Sequence, residues 1–185
     1  MNITFTGHRP NKLGGYDWNN PKNQRIMLRL YKEVEDIIMK SNDTDFHFIF
    51  GGALGIDQMA FHVVNILKDN MQMYKQVDIK TEIAIPFKEQ PNAWFKQEDK
   101  DRYNYQLSVA DRITYVDTLA NYMRTNTPVD KYNPIKLQIR NEYMTDNADL
   151  IIVIWDGSKS GTGNCVDYAK KLNKEIIIIN PKDIG

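Results

Sequence analysis

The chain has one cysteine, Cys165, in 185 residues. A lone cysteine leaves no intramolecular disulfide and no cysteine-based zinc cluster. It also has no excess of either charge: 24 Lys and Arg face 24 Asp and Glu. A protein that grips nucleic acid through charge usually shows a basic surplus, so nucleic acid is not the expected partner. Long apolar runs are missing too. The longest, Leu150 to Trp155, falls far short of the roughly 20 residues a membrane helix needs. Met1 to Gly7 carries neither the charged nor the long apolar region of a signal peptide. A cytoplasmic protein with no membrane association is the expectation. No His, Asp or Glu grouping has metal-ligand spacing, and no GxSxG nucleophile elbow occurs, so no metal is expected.

What is present is an ordinary soluble composition, 42% hydrophobic and 26% charged. The length suits one domain, residues 1–185, that buries its own core. Strand-like runs at 3–6, 46–50, 79–85, 112–116, 150–154 and 175–179 alternate with helical patterns. The clearest helix has Ile56, Met59, Ala60, Val63, Val64 and Leu67 on one face. Asn20-Pro21 reads as a helix cap and first-turn proline, opening a helix to about residue 40. Residues 134–147 and 162–173 are also helical. From Pro91 to Ala110 the pattern is weak, with Trp94, Phe95, Tyr103 and Leu107 placing a helix under the sheet. Residues 117–133 read as a polar, mobile or site-covering loop. Such alternation predicts an α/β, Rossmann-like parallel sheet of about six strands with helices on both faces. The solid apolar strands 150–154 and 176–179 fit burial on both sides.

In such sheets ligands bind beyond the carboxyl ends of the strands. Strand one ends in Thr6-Gly7-His8-Arg9-Pro10, followed by Lys12 and Tyr16. Gly7 permits close backbone approach, and His8, Arg9 and Lys12 are donors suited to phosphate. Tyr16 and Trp18 are candidates for stacking on a base. Strand two runs into Gly51-Gly52-Ala53-Leu54-Gly55-Ile56-Asp57, a glycine-rich entry to a helix and a natural anion site. Its spacing is neither GxGxxG nor GxxxxGK[ST], which argues against an ordinary dinucleotide fold and a P-loop ATPase. Asp57 either caps its helix or holds a ribose hydroxyl. Strand five ends in Trp155-Asp156-Gly157 and leads through Ser160-Gly161-Thr162 into another helix, a second cradle. Arg140 and Asn141, on the preceding helix, are placed to reach the same crevice. His47, His62 and Cys165 read as structural, and Glu98, Asp99 and Asp101 as a solvated helix face.

The order and spacing of these motifs resemble the YpsA-like branch of the SLOG superfamily, which joins the Smf/DprA proteins to the lonely guy (LOG) phosphoribohydrolases. The likeness covers nearly the whole chain. It implies that strand four extends the sheet beyond strand three, that strand five lies beside strand one, and that the ends of strands one, two and five share a pocket. It further implies a nucleotide or NAD/ADP-ribose-derived ligand, held by a sensor or sequestering module. The alternatives are a divergent nucleoside 5′-monophosphate N-glycosidase and a DNA-associated Smf/DprA-like protein. LOG enzymes carry PGGxGTxxE; here Ser158 and Lys159 stand before Ser160-Gly161-Thr162, and Cys165 occupies the glutamate position. The cradle is kept while the acid–base carboxylate is missing, leaving Arg140, Asp57 and Asp156 as the catalytic candidates. Homo-oligomerisation is left open.

Overall fold

The computed structural model describes residues 1–71 and 74–184. Its strands are β1 (Asn2–Gly7), β2 (Asp45–Phe50), β3 (Asp78–Ile85), β4 (Arg112–Tyr115), β5 (Leu150–Ile154) and β6 (Glu175–Ile179). The helices between them are α1 (Pro21–Lys40), α2 (Ile56–Met71), α3 (Gln97–Val109), α4 (Pro134–Asp146) and α5 (Gly161–Lys171). All the strands are parallel, in the order β4-β3-β2-β1-β5-β6. The order reverses between β1 and β5, so the switch point lies at the ends of those two strands.

Strand residues alternate between two cores because side chains of a strand point to opposite faces. Phe5, Phe48, Ile152 and Ile154 join Ile26, Leu30 and Val34 of α1 and Val64 and Leu67 of α2 on one face. Ile49 packs on Ile139, Tyr143 and Met144 of α4 on the other, where Ile151 and Val153 meet Val166 and Ala169 of α5. Burial on both faces is why β5 carries no polar residue. At the start of α1, the Asn20 side chain accepts from the Lys22 amide at 2.9 Å ahead of Pro21. A cap of this kind contributes about 1 kcal/mol.

Four expectations change. β6 is an edge strand with Ile178 48% exposed, so 176–179 is not buried on both sides. The 91–110 segment is split into a 3-10 turn at Gln90–Ala93 and the helix α3, which packs beside α2 with Tyr103 in the core under the sheet. Phe95 points fully outward. Asp99 is buried and paired with Arg102, so it is no part of a solvated acidic face. The 117–133 connection is pinned. Lys136 Nζ donates to Asp117 Oδ2 at 2.8 Å and to the Pro128 carbonyl at 2.7 Å, and the Asp130 amide donates to Asp117 at 2.8 Å. That ion pair is buried on both sides, a costly arrangement when either partner is lost.

Candidate functional site

At the carboxyl edge of the sheet, the ends of β1, β2 and β5 open into a cavity of about 550 Å³. Four cationic side chains, Arg9, Lys12, Arg140 and Lys159, line it against one carboxylate, Asp57. In a chain without net charge this concentrates positive potential in a concave, partly desolvated place.

Arg140 forms the floor. It is 3% exposed, and its Nη1 donates to Asp57 Oδ2 at 3.2 Å. Its Nε meets no acceptor among the described residues. Burial pushes this guanidinium down from its ordinary value, the Asp57 carboxylate opposes that shift, and Arg9 adds to it. A guanidinium with donors unmet in low dielectric favours a further anion strongly. Asp57 also accepts from the Ala53 amide at 3.3 Å. Its bond to Arg140 joins the first turn of α2 to α4 across 83 positions of sequence.

The second cradle faces the same space. Ser160 caps α5, its hydroxyl accepting from the Gly163 amide at 3.3 Å, and the helical ladder starts with Asn164 N–H to the Ser160 carbonyl. The Gly161 and Thr162 amides lie ahead of that ladder, and both residues line the cavity. They are the donors that a helix start leaves for an anion.

Not every expected ligand contact is brought to the cavity. Thr6, Gly7, His8, Arg9, Lys12, Ala53, Asp57, Arg140, Asn141, Ser160, Gly161 and Thr162 line it; Tyr16, Gly51, Gly52, Gly55, Trp155 and Asp156 do not. The glycines make room inside the protein. A β-carbon at Gly51 would collide with the Arg140 guanidinium, and one at Gly55 with the His8 carbonyl. Gly52 has φ +63, and its β-carbon would come within 2.8 Å of the Tyr103 ring. Two amides of this first loop are already engaged, Ala53 by Asp57 and Ile56 by the His8 carbonyl.

Asp156 and Trp155 build the loop before α5. Asp156 Oδ1 accepts from the Ser158 hydroxyl at 2.6 Å and lies 2.8 Å from His8 Nε2, while Lys182 lies 3.1 Å from Oδ2. The Ser158 hydroxyl, then Lys182, hold the Asp156 carboxyl well below the usual carboxylate range. Trp155 Nε1 donates to the Ser158 carbonyl at 2.7 Å, and Lys12 Nζ to the Ser158 hydroxyl at 2.6 Å. The two aromatic stacking candidates also lie elsewhere. Trp18 packs on His62 and under Arg102, and Tyr16 faces Lys96.

Sequence reasoning missed Asn11, Leu54, Pro134, Leu137, Gln138, Lys159 and Asn164. Lys159 and Asn164 stand within or beside the Gly/Ser/Thr stretch and were legible by proximity. Leu137 and Gln138 carry no local signal beyond lying one helical turn from Arg140 and Asn141. Cys165 is buried behind the cradle; burial pushes its thiol up, with Thr145 and Thr6 opposing. Among the described residues no group of three or more His, Cys, Asp or Glu gathers as a metal site, and no helix is long and apolar enough to cross a membrane.

Residues 3–184 match the family model YpsA, described as the YspA SLOG family. The chain is similar to the SPbeta prophage-derived protein YoqJ of Bacillus subtilis (strain 168), 43% identical over 152 residues, covering 82% of this chain and 84% of that protein. A UPF0398 protein of Halalkalibacterium halodurans is 26% identical over 187 residues, covering 98% and 89%. Among solved structures, DNA processing protein A from Helicobacter pylori, described for its single-stranded DNA binding mode, superposes with a TM-score of 0.55 at 15% identity. DNA processing protein A from Streptococcus pneumoniae gives 0.54 at 14%. The match covers 96% and 95% of this chain but only 64% and 49% of those two, and what is shared is the fold.

Proposed function

The chain belongs to the YspA SLOG family, and from that premise we propose that it binds a phosphorylated nucleoside, a nucleotide or ADP-ribose-type ligand, as a sensor or sequestering module. The observation that carries the reading is Arg140, buried at the cavity floor with Nε unmet and one carboxylate partner at 3.2 Å. Phosphate oxygens on the Gly161 and Thr162 amides would complete its coordination, with Arg9 and Lys12 closing from the rim. The first loop serves chiefly by placing Asp57, which orients Arg140.

Binding rather than hydrolysis is the favoured outcome because the cavity is poor in carboxylates. Glycosidic cleavage through an oxocarbenium-like state needs a carboxylate at the sugar. Asp57 is the only one in the lining and is already committed to Arg140; Asp156 is turned into its own loop. Isothermal titration with AMP, ADP-ribose and adenosine tests the reading, with chromatography of the same AMP samples for free base. AMP should bind at least about tenfold more tightly than adenosine, a difference of about 1.4 kcal/mol, and Arg140→Ala should remove that preference. No adenine should accumulate over hours. Equal affinity for AMP and adenosine would end the phosphate assignment. Rapid base release abolished by Asp57→Asn would make the N-glycosidase reading the better one.

A further inference from the structure

Beside the cationic cavity lies a second recess of about 220 Å³, and Arg9 and Leu137 line both. Its character is different. Phe87, Trp94 and Tyr132 supply aromatic walls, and Glu89 supplies a carboxylate. Phe87 is buried, and Tyr132 stands edge-on to it with ring centroids 5.6 Å apart. Trp94 is set edge-on to Tyr103 at 5.2 Å. The rings are therefore held by their neighbours before any ligand arrives, which lowers the ordering cost of binding a flat molecule between them.

We propose that this recess is a base subsite, taking the nucleobase of a ligand whose phosphate sits in the main cavity. The proposal rests on the phosphate reading of the larger cavity. Stacking on Tyr132, Phe87 or Trp94 supplies affinity for any base.

Titrations of AMP and ribose 5-phosphate into the wild type and Tyr132→Ala decide it. Tyr132 is 63% exposed, so its truncation leaves the fold alone. The wild type should bind AMP about tenfold more tightly than ribose 5-phosphate. Tyr132→Ala should weaken AMP severalfold and leave ribose 5-phosphate unchanged. Ribose 5-phosphate binding as tightly as AMP, or Tyr132→Ala weakening both equally, overturns the subsite while the phosphate cavity stands. If neither AMP nor ribose 5-phosphate binds the wild type, the phosphate reading fails and the subsite with it.

Discussion

Arg140 and Asp57 form a pair whose halves come from helices far apart in sequence, and the glycine between them is part of the device. Gly51 has no β-carbon because the guanidinium occupies that space. Gly51→Ala should push Arg140 aside, at an overpacking cost of about 1–3 kcal/mol. Gly52→Val should cost a similar amount through its φ of +63 and the Tyr103 ring. Gly161 is different, since nothing lies within 4 Å of a β-carbon built there. Gly161→Val is expected to keep its melting temperature within a few degrees and to lose AMP binding by tenfold or more. Thermal melts and titration on the three variants check this, and retained binding in Gly161→Val would remove the ligand from the α5 amides. These residues also show where sequence reading stops. A Gly-Gly-Ala-Leu-Gly turn says that something approaches the backbone closely, and a string of letters does not say whether that is a phosphate or an arginine 89 positions onward.

The element that carries Arg140 is itself anchored by a polar network. Tyr143 of α4 donates to Glu82 Oε1 of β3 at 2.6 Å, with His47 of β2 at 3.1 Å and Arg112 of β4 at 3.8 Å from Oε2. Burial alone would raise the Glu82 carboxyl, but His47 and Tyr143, aided by the nearby Thr114 and Arg112, outweigh it and hold it at about 2. A carboxyl depressed on folding gives stability that is complete above its unfolded value of 4.5 and is lost as pH falls toward about 2. That loss should be on the order of 2–3 kcal/mol. Chemical denaturation across this window should show a steep acid limb in the wild type and a flatter one, from a lower plateau, in Glu82→Gln. An unchanged acid limb would mean that other carboxylates govern it. Elements differed in legibility for the same physical reason. Apolar β5 and the one-sided α2 announced themselves because burial there is bought with hydrophobic side chains. The α3 helix did not, since Asp99 and Gln106 fill its buried positions, and Lys136 and Arg140 do so in α4. Asp99 pairs locally with Arg102, but Gln106, Lys136 and Arg140 are satisfied by partners distant in sequence, and a periodicity argument cannot see them.

Taken whole, the molecule combines zero formal charge with a cavity where cations outnumber carboxylates four to one. Such a distribution suits a small anion better than a long polyanion, which needs a continuous basic track. Labelled single-stranded DNA should therefore show no saturable anisotropy change at about 0.15 M salt, while AMP affinity survives. Tight DNA binding there would favour the DNA-associated reading over the nucleotide one. The sheet order has a further consequence, for synthesis. β1, one of the two central strands, is made before the other five, yet one of its edges pairs with β5 through Ile3–Leu150 and Thr6–Val153. While the ribosome is still producing the middle of the chain, that edge lies open beside Ile3 and Phe5 and offers an unpaired template to neighbouring nascent chains. Arg140 and the Gly161-Thr162 amides also emerge late. A product interrupted before β5 would thus keep an adhesive edge and an incomplete cavity, so closing the sheet and completing the cavity are one event that waits for β5 and the start of α5.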